Sequence, residues 1–270
     1  MIRNISVSEI EEAVRIHWKL QLGSYFDSVH DLSGSVYNLG GLVTDYYWNY
    51  AGMINTKPNE AEALIKRIIE FAGKHNREPA FYIDPSTKPD NFTELLTTAG
   101  FHPDDDEIWM FFNEFPIDLR PQPSDLDIKE VASPNDMKIF VDVFHDAYEF
   151  LEGGETSSTY GDSLMEAYQN QPKEVNIYHF IGRRSGEPVS VSSIYMSGSD
   201  AGLYNVGTPI SNRGCGYGTA LSVHAIKFAE SKGAKKIILQ TELGDVAEQL
   251  YKKLGFTQAF SAAIWAKAEE

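Results

Sequence analysis

Cysteine is almost missing. Cys215 is the single one in 270 residues, so no disulfide can close within the chain, and a reducing compartment fits. Long apolar runs and a signal-peptide pattern are missing too, which reads as a soluble, cytoplasmic protein with no membrane partner. Positive charge is scarce: 23 Lys and Arg stand against 39 Asp and Glu, a formal net charge of -16. That balance argues against nucleic acid and anionic membranes as partners; an ordinary acidic solvated surface is its first explanation, with a cationic acceptor mildly favoured behind it. No His/Cys/Asp grouping has metal-ligand spacing, so no metal is expected. Two common phosphate loops fail as well. The dinucleotide fingerprint needs a glycine where Thr219 stands, and a Walker loop needs a lysine that does not occur before Lys227.

Glycine is concentrated in one place. Leu203-Tyr204-Asn205-Val206 has the composition of a buried strand, and Gly207 and Pro209 break it. A turn follows, Arg213-Gly214-Cys215-Gly216-Tyr217-Gly218-Thr219. Then Ala220, Leu221, Val223, Ala225, Ile226 and Ala229 recur at helical spacing up to the stop signal Gly233. A strand, a glycine-rich loop and a helix with free first amides make an anion site that a phosphate can approach without meeting a Cβ. Arg213 adds a forked cation.

The pattern Arg-x-x-Gly-x-Gly at Arg213, Gly216 and Gly218 resembles the pyrophosphate loop of the GNAT (GCN5-related) N-acetyltransferase superfamily. Further along, Lys236 to Thr241 reads as a strand and Asp245 as the cap of a helix over 246–254. That helix resembles the second GNAT signature, Ala-x-x-Leu-Tyr-x-x-x-Gly-Phe, at Ala247, Leu250, Tyr251, Gly255 and Phe256. Order and spacing of both segments agree with the family.

Upstream, the pattern predicts a strand at Ile2 to Ile5 and a helix capped by Ser8, with Ile10, Val14, His17 and Gln21 on one face. His17 and Trp18 are read as packing residues, with a ligand cleft as the alternative. Val36 to Ile54 reads as a hairpin or two strands, Asn59 to Ala72 as a helix, Ala80 to Ile83 as a strand, Asn91 to Ala99 as a helix and Ile108 to Phe112 as a strand. Helix, strand, helix, Gly-Phe and terminal strand then recur: Phe71-Ala72 answers Phe228-Ala229, Gly100-Phe101 answers Gly255-Phe256, and Trp109 falls near the place of Trp265. The expected fold is α/β (α+β), with two GNAT-like units, each a mixed, mostly antiparallel sheet flanked by helices. The expected division is 1–118, a linker at 119–125 and 126–270, with a Pro-rich joint near Pro116 to Pro123. The first unit reads as degenerate, because Thr56-Lys57-Pro58-Asn59-Glu60-Ala61 lacks glycine and arginine and Leu96 stands opposite Tyr251.

In the second unit, Asp127 to Val131 reads as a strand and Ser133-Pro134 as a helix start, with Met137, Phe140, Val141 and Phe144 forming an apolar face. Glu149, Glu152 and Glu155 lead into an expected flexible run from Gly153 to Gly161. Val175 to Ile181 and Pro188 to Met196 form a hairpin. The resemblance implies transfer of an acetyl group from acetyl-coenzyme A to an amine of a small molecule or peptide. It places the cofactor at Leu203, Tyr204, Asn205, Val206 and Gly207, at Arg213, Gly214, Cys215, Gly216, Tyr217, Gly218 and Thr219, and at Gly244 and Tyr251. Tyr251 takes the place of the proton donor to sulfur, with a packed helix tyrosine as the alternative. Glu149 or Glu152 is read as binding or deprotonating the amine, with a solvated acidic loop as the alternative for each, and the base stays open among Glu149, Glu242, Tyr204 and a water. The chain departs from the family at Gly244, where many members carry Asn. A non-catalytic acyl-coenzyme A sensor is the alternative function. Monomer and homodimer are both expected as possible states.

Overall fold

The computed structural model describes residues 5–112, 123–152 and 155–267; the expected strand at Ile2 to Ile5, apart from Ile5, and the Pro116–Pro123 joint, apart from Pro123, lie outside them. Ser6, Ser133 and Asp245 each start a helix by accepting from one of its first free amides. Helix α1 (Val7–Gln21) opens with a capping box in which Ser6 Oγ accepts from the Glu9 amide and Glu9 accepts from the Ser6 amide. The cap is therefore Ser6 and not Ser8, because Ser6 has the extended φ/ψ that lets its oxygen reach back over the first turn. Strands β1 (Ser28–Asp31), β2 (Val36–Leu39) and β3 (Tyr50–Gly52) follow, then α2 (Ala61–Lys74), β4 (Phe81–Ile83), α3 (Phe92–Thr98) and β5 (Phe101–Phe112). β1 has no expected counterpart, since its four residues alternate only between half-buried and exposed.

The second half runs β6 (Leu126–Glu130), α4 (Pro134–Glu152), α5 (Glu155–Asn170), β7 (Asn176–Arg184), β8 (Glu187–Ser197), β9 (Asp200–Gly207), α6 (Tyr217–Ser231), β10 (Lys236–Glu242), α7 (Val246–Lys253) and β11 (Thr257–Lys267). Residues 155–161, expected to be flexible, form the first turns of α5. Burial of Tyr160 and Leu164 in one core with Met137, Phe140 and Phe144 of α4 supplies what the glycine-bearing sequence does not.

All the strands join one sheet, ordered β1-β2-β3-β4-β11-β5-β10-β9-β8-β7-β6. The pairs β3/β4 and β9/β10 are parallel and the others antiparallel. The halves exchange their last strands: β11 pairs with β4, and β5 lies between β11 and β10. The alternation along β5 explains how it serves two layers. Ile108, Met110 and Phe112 point into the core under α6 and α7, while Trp109 and Phe111 point into the core under α1, where Trp109 stacks on Phe260 at 5.0 Å.

Candidate active site

Two parallel strands that begin side by side and then separate leave one backbone edge without a partner. The β9/β10 ladder covers Asp200 to Gly202 against Lys236 to Ile238 and goes no further. On its other side β9 stays paired with β8 out to Gly207. Leu203 to Gly207 therefore lines a fork along an edge that β10 leaves unpaired, which an extended ligand can meet as an added strand, although the Val206 and Gly207 carbonyls already accept from Tyr148 Oη and Ser190 Oγ. The β8/β9 register shifts between Val191 and Ser193, so Asn205 and Val206 oppose a single residue. Asn205 sits at φ 53°, a left-handed conformation that Asn tolerates better than most residues. Such a bulge re-aims the backbone that follows it.

The glycine-rich loop sits at the head of this fork. Gly216 caps α6 at φ 82° with no side-chain bond to the first amides, and the first intrahelical bond is Ala220 N–H to the Gly216 carbonyl at 3.0 Å. The amides of Tyr217, Gly218 and Thr219 precede that bond and point out of the helix. A Cβ at Gly214 would meet nothing within 4 Å, and one at Gly216 would meet only Pro123 at 3.8 Å. Tyr217 buries its ring, Thr219 is half-buried and Cys215 is exposed. Arg213 turns partly inward: Nε donates to the Thr208 carbonyl at 3.0 Å and Nη2 to the Ala147 carbonyl at 3.1 Å, tying the loop to α4. The Gly244 amide donates to Glu248 Oε2 at 2.9 Å, so it is not open to a ligand.

Helix α4 closes one side. A Cβ on Gly207 would lie 2.9 Å from that of Ala147, and Tyr148 Oη donates to the Val206 carbonyl at 3.1 Å. Nothing in the local pattern singled out Tyr148 for this contact. Glu149 and Glu152 lie in the last turns of α4, and their side chains fall outside the described residues. Tyr251, on α7, packs its ring against Phe256 at 5.7 Å, and its hydroxyl makes no hydrogen bond among the described residues. Burial, with smaller contributions from Tyr148 and Asp245, holds its pKa far above the usual phenol value, so it keeps its proton. Glu242 is exposed at the end of β10.

Tyr204 points away from the fork toward α1, where Oη meets His17 Nδ1 at 3.0 Å. Burial raises its pKa well above normal, so it stays protonated and is no general base. His17 is thus neither plain packing nor an open cleft residue. It is a buried hydrogen-bond partner, and burial lowers its pKa to about 3.

The corresponding fork in the N-terminal half is shut. Beyond the Ala51/Phe81 pair, Lys88 N–H donates to the Ile54 carbonyl at 2.8 Å and Thr56 N–H to the Lys88 carbonyl at 3.3 Å. The helix behind it begins with a 3-10 turn, Pro58–Glu60, and Glu60 and Glu62 put carboxylates where an anion would sit. Leu96 is fully buried in the core under α2 and α3. Among the described residues no group of three or more His, Cys, Asp or Glu can hold a metal, and no helix is long and apolar enough to cross a membrane.

Residues 140–256 match the family described as Acetyltransferase (GNAT) family. The chain is similar to the solved structure of a GCN5-related N-acetyltransferase from Kribbella flavida, with a TM-score of 0.74 and 18% identity over 96% of each chain. A GCN5-related N-acetyltransferase from Sphaerobacter thermophilus gives 0.67 at 15% identity, over 87% of this chain and 76% of that one. A tandem GNAT protein from the clavulanic acid biosynthesis pathway gives 0.62 at 12% identity, over 97% and 96%. No curated protein matches the chain.

Proposed function

We propose that this chain, whose residues 140–256 belong to the GNAT acetyltransferase family, transfers an acetyl group from acetyl-coenzyme A to an amine of a small molecule or peptide at one site, the fork of β9 and β10. The observation that carries the reading is the unpaired edge of Leu203 to Gly207 leading to the uncapped N-terminus of α6. The residues present suit coenzyme A: free amides and glycines for a pyrophosphate, and a bare strand edge for an amide-bearing arm. When bound, acetyl-coenzyme A supplies a thioester-activated acetyl group. The amides of Tyr217, Gly218 and Thr219 hold phosphate, and Arg213 braces the loop while adding positive charge. The backbone after the Asn205 bulge offers an N–H toward the fork, as oxyanion stabilisation requires. Tyr251 keeps a proton at Oη for the departing sulfur. Glu149 is the proposed amine-side carboxylate.

The reading divides the chain into units 1–118 and 126–270, joined at 119–125, in the cytoplasm. The first is without a cofactor site, because its fork is bridged at Lys88. Calorimetry with coenzyme A should give one site per chain. Gly216→Val forces a β-branched residue into a left-handed φ, whereas Gly218→Val is not held at a left-handed φ; both place side-chain atoms where phosphate must approach, and both should remove measurable binding. Thiol release from acetyl-coenzyme A with a panel of amines then separates a transferase from a protein that only binds. Two equivalent sites, or unchanged affinity in a folded Gly218→Val chain, would contradict the assignment.

A further inference from the structure

The strand that lines the fork is anchored from the other half of the chain. The turn after α1 presents Ser24 and Tyr25, both buried. Tyr25 Oη donates to Asn205 Oδ1 at 3.0 Å. Asn205 Nδ2 donates in turn to Ser193 Oγ at 3.2 Å and to Tyr195 Oη at 3.4 Å, and Ser24 Oγ shares a 3.1 Å bond with that same Tyr195 hydroxyl. His17 bonds Tyr204, the residue before the bulge. The side-chain amide of Asn205 thus makes three of its four possible bonds, and the one to its oxygen comes from the N-terminal half. Tyr25 itself has little freedom: its ring stacks on Trp48 at 4.3 Å and meets Tyr160 edge-on at 5.6 Å.

A bulge with a non-glycine residue at positive φ gives up ladder bonds and persists only where its surroundings over-determine it. We infer that Tyr25 is a positioning residue for acyl transfer, locking Asn205 so that β9 keeps the bulge that aims its following amides into the fork. The N-terminal half, which lacks a fork of its own, would then complete the C-terminal one. This inference rests on the acetyl-transfer reading for its catalytic consequence, but the lock itself can be tested without cofactor.

The test uses the full chain and Tyr25→Phe, which keeps the stacked ring and removes only the donor. Hydrogen exchange of the β8/β9 ladder amides beside the bulge, at 191–193 and 203–204, should speed up about tenfold in the free protein, the effect of a lost buried hydrogen bond, while exchange in the β6/β7 ladder stays as it was. Coenzyme A affinity and the KM for acetyl-coenzyme A should hold, and kcat with an active amine should fall about tenfold. In a double-mutant cycle the two changes should be non-additive, with Asn205→Ala costing less in the Tyr25→Phe background than in the parent because the bond between them is already lost. Unchanged exchange in the β8/β9 ladder beside the bulge, or a slower reaction through KM alone, overturns the inference. If the parent chain binds no coenzyme A, the acetyl-transfer reading falls on that result, and the exchange data still decide whether Tyr25 locks the bulge.

Discussion

At the scale of single residues, Tyr251 carries the sharpest expectation. Its hydroxyl has no hydrogen-bond partner among the described residues, so Tyr251→Phe removes a proton donor without leaving a buried orphan. Stability and coenzyme A affinity should change little, because the packing area against Phe256 is kept. If the phenol protonates sulfur, single-turnover acetyl transfer should slow by about 100-fold, the low end for a positioned acid with a tolerable leaving group. Because burial holds the proton well above the ordinary phenol range, the parent's rate should show no alkaline loss from this group up to about pH 10, the ordinary phenol value. A phenylalanine variant with the parent's single-turnover rate would make Tyr251 a packing residue.

At the scale of elements, α1 and β7 each bury a histidine. His17 lies among Phe26, Trp48, Trp109 and Tyr204, and His179 between Phe140 and Ser193; burial lowers both pKa values to about 3. Both folded values lie below the unfolded value near 6.5. The stability they contribute is therefore fully present above about pH 6.5 and lost as pH falls toward about 3. Each should add a slope of about 1.4 kcal/mol per pH unit in that window. Urea unfolding between pH 7.5 and 4.5 should show this decline, and His17→Gln should flatten it by about one proton whatever its effect on absolute stability. An identical slope in the variant would mean that His17 does not titrate with unfolding.

At the scale of the whole molecule, the exchange of β5 and β11 binds the halves together. A chain beginning at Ser124 loses β5, the strand that pairs with both β10 and β11, and with it Ile108, Met110 and Phe112 from the core under α6 and α7. Two unpaired strand edges and a core gap predict a fragment that aggregates and does not melt cooperatively. Size-exclusion chromatography and thermal unfolding check this. A soluble fragment with the parent's coenzyme A affinity would show that β11 can close the sheet alone.

The sequence by itself determined what depends on neighbours a few residues apart. The glycine-rich turn before α6, the Asp245 cap of α7, the helical face of α1 and the hairpin of β7 and β8 are all of this kind, because caps, φ preferences and periodicity act within one or two turns. Between two nearby serines it placed the cap of α1 two residues late, and it missed what depends on distant elements: the short strand β1 and the first turns of α5. Only the tertiary structure decided that β5 lies between β10 and β11, that Lys88 bridges the first fork, that Arg213 ties the loop to Ala147, and that Tyr25 reaches Asn205. A strand carries the same alternation whichever strand it pairs with, and a tyrosine hydroxyl 180 residues away in sequence from its acceptor leaves no mark on the pattern around either of them.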